Sequence, residues 1–170
     1  MLFAVITLFI SFTNMKVYEV DIPTDKGLTN FDIQNYADIL KIPNFRGVFM
    51  RDELPKIPKR FECGIMNFNT HNQLGTHWVC FAKRGKTCIY FDSFGQITPV
   101  EIQRYLKTRF EFQNNIPVIE RNTDIVQRPN TSICGHLCLF VLTAVMREHL
   151  TYQKVLYQLN SAFSEDERFF

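Results

Sequence analysis

Apolar and polar positions along this chain follow two periods, and the switches between them outline a mixed α and β fold. Residues 28–42, LTNFDIQNYADILKI, set Ile33, Tyr36, Ala37 and Leu40 on one helical face. Thr29 or Asn30 can cap that helix, Asp32 stands in its first turn, and it must end before Pro43. Residues 47–60, GVFMRDELPKIPKR, read as a short strand breaking into a proline-rich basic loop. GTHWVCFAK and TCIYFDSFG, starting at Gly75 and Thr87, are rich in aromatic and β-branched residues. The KRGK between them makes a hairpin turn in which Gly85 can take a positive φ. PVEIQRYLKTRF predicts an amphipathic helix through Ile102, Tyr105 and Leu106, and IPVIERN another short strand. A long apolar helix is expected from Cys134 to about His149. Thr151 can cap a further helix running through Val155, Leu156 and Leu159. The expected fold class is therefore α+β: a short, mainly antiparallel sheet between helices, with Cys134 at the N-terminus of the central helix.

The start of the chain breaks this pattern. MLFAVITLFISF is apolar almost throughout but about 12 residues long, whereas a membrane-spanning helix needs roughly 20. It has neither the basic lead nor the small-residue cleavage site of a secretory signal. Residues 1–14 are read as an apolar extension or hydrophobic strand that need not belong to the mature protein, and residues 15–170, opening at Met15, as a single domain. There are no repeats and no long linkers.

Composition narrows the function classes. With 46% hydrophobic and 14% aromatic residues in 170, the chain can bury a core and is not disordered. A net charge of +2 does not mark a nucleic-acid binder, although Lys56, Lys59, Arg60, Lys83, Arg84 and Lys86 could form a weakly DNA-binding patch. Cys63, Cys80, Cys88, Cys134 and Cys138 are odd in number, irregularly spaced and free of any CxxC. That indicates neither a disulfide framework nor a zinc ribbon and fits a reducing, intracellular setting. CGHLC sets His136 off the helical face shared by Cys134 and Cys138, so no metal site is expected.

The chemistry lies in four residues. Cys134 opens a helix, where the dipole and unpaired N–H groups stabilise a thiolate, and its own N–H can serve as an oxyanion donor. Gly135 leaves room beside the sulfur for a substrate backbone. His77 precedes the first hairpin strand and Asp92 follows the second, so the hairpin should set them side by side. A carboxylate in that place holds an imidazole in one tautomer. Gln127 offers an uncharged amide donor, in a loop stiffened by Pro129. Taken singly, each has an ordinary role: core thiol, strand-edge histidine, turn aspartate, loop glutamine. Together they supply the nucleophile, base, orienting group and oxyanion donor of a cysteine hydrolase.

The combination of GTHWVCFAKRGKTCIYFDSFG with VQRPNTSICGHLC resembles the adenovirus-type (adenain-like) cysteine proteases, especially those of Polinton/Maverick elements and related viruses. FRGVFMRDELP and ECGIMNFN resemble that family's approach to the histidine, and the likeness runs from about Leu28 to Leu142. It implies an endopeptidase that cuts viral structural precursor polypeptides, often after glycine, with His77 as base, Asp92 as orienter, Cys134 as nucleophile and Gln127 in the oxyanion hole. It also implies a substrate channel at Gly75, Trp78 and Gly135. The family has glutamate where this chain has Asp92. Adenovirus enzymes are stimulated by a viral peptide and by DNA, but no residue here carries that dependence over, and no cofactor is required by the sequence. The expectation is a monomer without a membrane span, acting in the host nucleus, the cytoplasm or the virion. SUMO-specific proteases share the order of the four residues, with a Gln-to-Cys spacing typically one residue shorter. A deconjugating isopeptidase is therefore the alternative.

Overall fold

A computed structural model describes residues 9–10, 14–108 and 117–166. In chain order the elements are β1 (Phe9–Ile10), β2 (Asn14–Val17), β3 (Val20–Pro23), α1 (Asn30–Ile39), β4 (Phe45–Phe49), β5 (Phe61–Asn67), β6 (Trp78–Arg84) and β7 (Thr87–Phe91). They continue with α2 (Val100–Lys107), β8 (Ile119–Arg121), α3 (Cys134–Leu142), a π-helical turn (Thr143–Arg147) and α4 (Tyr152–Asp166).

The centre is a five-stranded sheet in the order β4-β5-β6-β7-β8. Its two inner pairings are antiparallel, as expected, and its two outer ones are parallel. A parallel neighbour needs a crossover connection. Between β7 and β8 that connection contains α2, which brings this helix onto one sheet face. Side chains then sort by the period of two. Val79 and Phe81 of β6 join Met66, Cys88 and Tyr90 against Ile102, Tyr105 and Leu106 of α2. Cys80 and Ala82 join Cys63, Ile65, Ile89 and Phe91 on the opposite face, against α3. Because both faces are covered, β5 is buried at every position but its first. No apolar–polar alternation marks it in the sequence, so the pattern did not reveal it.

The β6–β7 turn is Gly85–Lys86, with Gly85 at φ +66°. Glycine at the first central position is the II′ arrangement, whose twist suits a two-residue hairpin. On α1, Thr29 forms a capping box with Asp32, and Ile33, Ala37 and Leu40 are buried. Every residue of α3 is buried. Such a helix is held by packing rather than by an amphipathic face. The expected helix to His149 instead passes into the π-helical turn at Thr143, and His149 takes a φ of +55°. The Thr143 hydroxyl donates to the Leu139 carbonyl at 2.7 Å, where the ladder changes pitch. α4 starts after Thr151, whose hydroxyl accepts from the Lys154 N–H.

Residues 1–8 and 11–13 of the apolar start lie outside the described residues. Phe9 and Ile10 pair with Lys16 and Met15, and β2 runs across the boundary drawn at residue 14, with Met15 and Val17 fully buried. Among the described residues no helix is long and apolar enough to cross a membrane. The supposed basic patch loses a member: Lys83 is buried within β6, with Nζ 3.5 Å from the Thr108 carbonyl, and Arg84 is turned onto the Leu150 carbonyl.

Candidate active site

The end of one hairpin strand, the start of α3 and the loop before it meet at a cleft of about 790 Å³, lined among others by Gly75, His77, Trp78, Gln127 and Cys134. His77 Nε2 lies 2.8 Å from Asp92 Oδ1. The β6–β7 register pairs Cys80 with Phe91. Extending it outward sets His77 opposite Phe94, so His77 and Asp92 are diagonal rather than directly across. An imidazole reaches that far. The shorter aspartate therefore spans the gap from its own position on the hairpin. Asp92 is fully buried, and its Oδ1 also accepts from the Phe94 N–H at 2.8 Å. The Phe94 ring covers the imidazole at 4.9 Å.

Cys134 lines the same cleft as His77 and acts on the imidazole as a side-chain hydrogen-bond partner. Burial alone would pull the His77 pKa down. Hydrogen bonds to Asp92 and Cys134, reinforced by both negative charges, outweigh it and raise the pKa to about 9. The imidazolium is thus the favoured form at neutral pH. The Trp78 N–H points at Cys134 Sγ from 3.5 Å, and the Trp78 indole N–H anchors on the Leu28 carbonyl at 2.8 Å. Ile133 caps α3 without a side-chain hydrogen bond. The first-turn N–H groups at the sulfur therefore stay available to an anion, unlike those of α1 beneath its capping box.

Gln127 is buried, and both ends of its amide are held. Oε1 accepts from the Ser93 hydroxyl at 2.7 Å, and Nε2 donates to the Thr131 carbonyl at 2.7 Å. A carbonyl can only accept, so the NH2 end must face Thr131. One amide N–H remains without a partner among the described residues.

Gly75 lines the cleft, but Gly135 serves another purpose. A Cβ there would meet Ile33, Trp78 and Leu28 at 3.3–3.4 Å. The space it leaves is filled by packing between α3 and its neighbours, not opened to a ligand. His136 is buried on the far side of α3, with Nε2 2.7 Å from the Pro23 carbonyl. Among the described residues, no three His, Cys, Asp or Glu side chains cluster as metal ligands.

Two buried side chains at this site went unnoticed in the sequence. Ser93 is one. The other is Asn122, which accepts the Asp92 N–H at 3.1 Å, donates to the Asp92 carbonyl at 2.5 Å and meets the Tyr152 hydroxyl at 3.3 Å. It fixes the backbone that carries the carboxylate. A polar residue within two positions of each strand end was the only signal.

The sequence profile of the adenovirus endoprotease family matches residues 45–163. The chain belongs to that family. The protease of Porcine adenovirus A serotype 3 is 28% identical over 134 residues, covering 71% of this chain and 65% of that protein. The protease of Human adenovirus B serotype 3 is 30% identical over 97 residues, covering 51% and 46%. The chain thus spans less than two thirds of the length of either relative. Among solved structures, the ASFV pS273R protease superposes with a TM-score of 0.55 at 20% identity, over 79% of this chain and 64% of that one. That likeness is one of fold, and it places this chain's α+β architecture beside a viral protease.

Proposed function

We propose that this protein is a cysteine endopeptidase that cleaves structural precursor polypeptides of a virus or virus-like element. The observation that carries the reading is His77, held by Asp92 through Nε2 and set beside the Cys134 thiol in one cleft. Membership of the adenovirus endoprotease family supports the same chemistry.

In this mechanism the Cys134 thiolate attacks the scissile carbonyl carbon, and the carbonyl π electrons move onto oxygen. That oxyanion is met by the free Gln127 N–H and the backbone N–H of Cys134. The His77 imidazolium then gives its proton to the departing amine as the C–N bond breaks, leaving an acyl-enzyme. A water activated by the neutral imidazole attacks the thioester, releases the acid and restores the thiolate–imidazolium pair. Asp92 keeps the ring in place throughout. Enzyme action takes place inside the host cell or virion, where five unpaired thiols stay reduced.

The test incubates the purified chain with a capsid precursor polypeptide, peptidyl-glycyl-aminomethylcoumarin substrates, and SUMO- and ubiquitin-linked reporters. Cleavage of the precursor and the glycyl peptides is expected, with none by Cys134→Ala. Cleavage of the modifier reporters alone would reassign the substrate to a deconjugating isopeptidase.

A further inference from the structure

We propose that Ser93 is a positioning residue for the oxyanion donor, acting through Gln127. The inference rests on the role given to Gln127 above. Ser93 is fully buried and immediately follows Asp92 beyond the end of β7. Its hydroxyl donates to Gln127 Oε1 at 2.7 Å, and its carbonyl accepts the Val126 N–H at 2.9 Å. The Gln127 loop is therefore tied to the hairpin twice, once through its backbone and once through the amide it presents.

The amide needs this. With Oε1 turned toward the cleft it would repel an oxyanion, and with Nε2 turned there it donates. The Thr131 carbonyl selects the second orientation from one side, and the Ser93 hydroxyl holds it from the other. A donor on Oε1 also polarises the amide and strengthens the remaining N–H. Without the hydroxyl, Oε1 is left buried and unpaired, and the amide gains freedom to rotate away. Asp92, Ser93 and Phe94 thus divide the work. The first grips the imidazole, the second grips the oxyanion donor, and the third covers the imidazole. One strand end sets the base and the oxyanion donor in a common register.

The experiment is a double-mutant cycle read as separate kcat and KM on a peptidyl-glycyl-aminomethylcoumarin substrate. Gln127→Ala should lower kcat by about 10²–10³. Ser93→Ala should lower kcat by about tenfold, the effect of one lost buried hydrogen bond, with KM nearly unchanged. In the Gln127→Ala background, Ser93→Ala should cost nothing further, because its route of action is already gone. If Ser93→Ala does not fold, Ser93→Cys keeps the volume with a weaker donor, and its loss must vanish in the same background. A full Ser93 loss on top of Gln127→Ala, or a loss in KM alone, overturns the role of Ser93. Wild-type kcat in Gln127→Ala overturns the reading of Gln127, and the proposal with it.

Discussion

Two histidines face the same cleft, six positions apart, and each is paired with an aspartate. His71 Nδ1 lies 2.5 Å from Asp52 Oδ2, and its backbone N–H reaches Asp52 Oδ1 at 2.9 Å. His77 lies 2.8 Å from Asp92. By distance the first pair is the tighter. It is also 62% and 32% exposed, against 12% and 0% for the second. Asp52 raises the pKa of His71, and His71 in turn holds the Asp52 carboxyl below its usual range, but water screens both. Among the described residues no thiol acts on the His71 ring. His77 has Cys134, the Phe94 ring and an aspartate whose backbone Asn122 fastens. A carboxylate at hydrogen-bond distance does not make a catalytic base. Burial, a nucleophile beside the ring and a fixed orientation do.

The comparison can be broken first by mutation. His77→Ala and Cys134→Ala should each lower kcat by about 10⁴-fold or more without loss of fold. Asp92→Ala should cost less than His77→Ala, since the base survives without its orienter. Full activity in Cys134→Ala, measured on the glycyl peptide, would end the assignment.

Stability offers the next test. Asn122→Ala leaves the Asp92 N–H and carbonyl buried without that partner, and should destabilise by about 1–3 kcal/mol in denaturant melts. A variant as stable as wild type would mean that Asn122 does not fix the Asp92 backbone.

The pH dependence sharpens the contrast further. The His77 pKa is raised from 6.5 to about 9, so the folded state binds its proton more tightly than the unfolded chain. Its stabilisation is complete below pH 6.5 and is lost as pH rises through about 9. Thermal melts from pH 6 to 10 should show this loss in wild type and not in His77→Gln. The proton that His77 donates to the leaving amine disappears over the same upper range, so kcat should fall near pH 9.

The smallest effect is expected at the exposed pair. His71→Ala and Asp52→Asn should leave kcat and Tm essentially at wild-type values. A loss comparable to that of Asp92→Ala would show that the two pairs are not distinguished by burial.

Much of this contrast could be read before folding. His77 and Asp92 flank a hairpin whose turn is marked by KRGK, so their approach follows from local geometry. The capped helix α1, the buried face of α2 and the start of α3 at Cys134 follow from periodicity and capping. Strand β5 does not, because a strand covered on both faces carries no alternation. Lys83 looked like surface charge and is buried, because β6 lies in the middle of the sheet. Gly135 looked like room for a ligand, but Leu28, Ile33 and Trp78, far away in sequence, fill that room.

The chain's own order of residues determined which side chains could do chemistry and which pair a single hairpin would bring together, because turn geometry and side-chain periodicity act over a few residues. Folding decided the rest: that α3 packs on β6 so the Cys134 sulfur meets the Trp78 N–H, and that a serine and an asparagine of no particular appearance hold the Gln127 amide and the Asp92 backbone in place. Those contacts join segments separated by 30 to 56 positions. Only burial of a shared core brings such distant segments to hydrogen-bond range, and no local pattern encodes it.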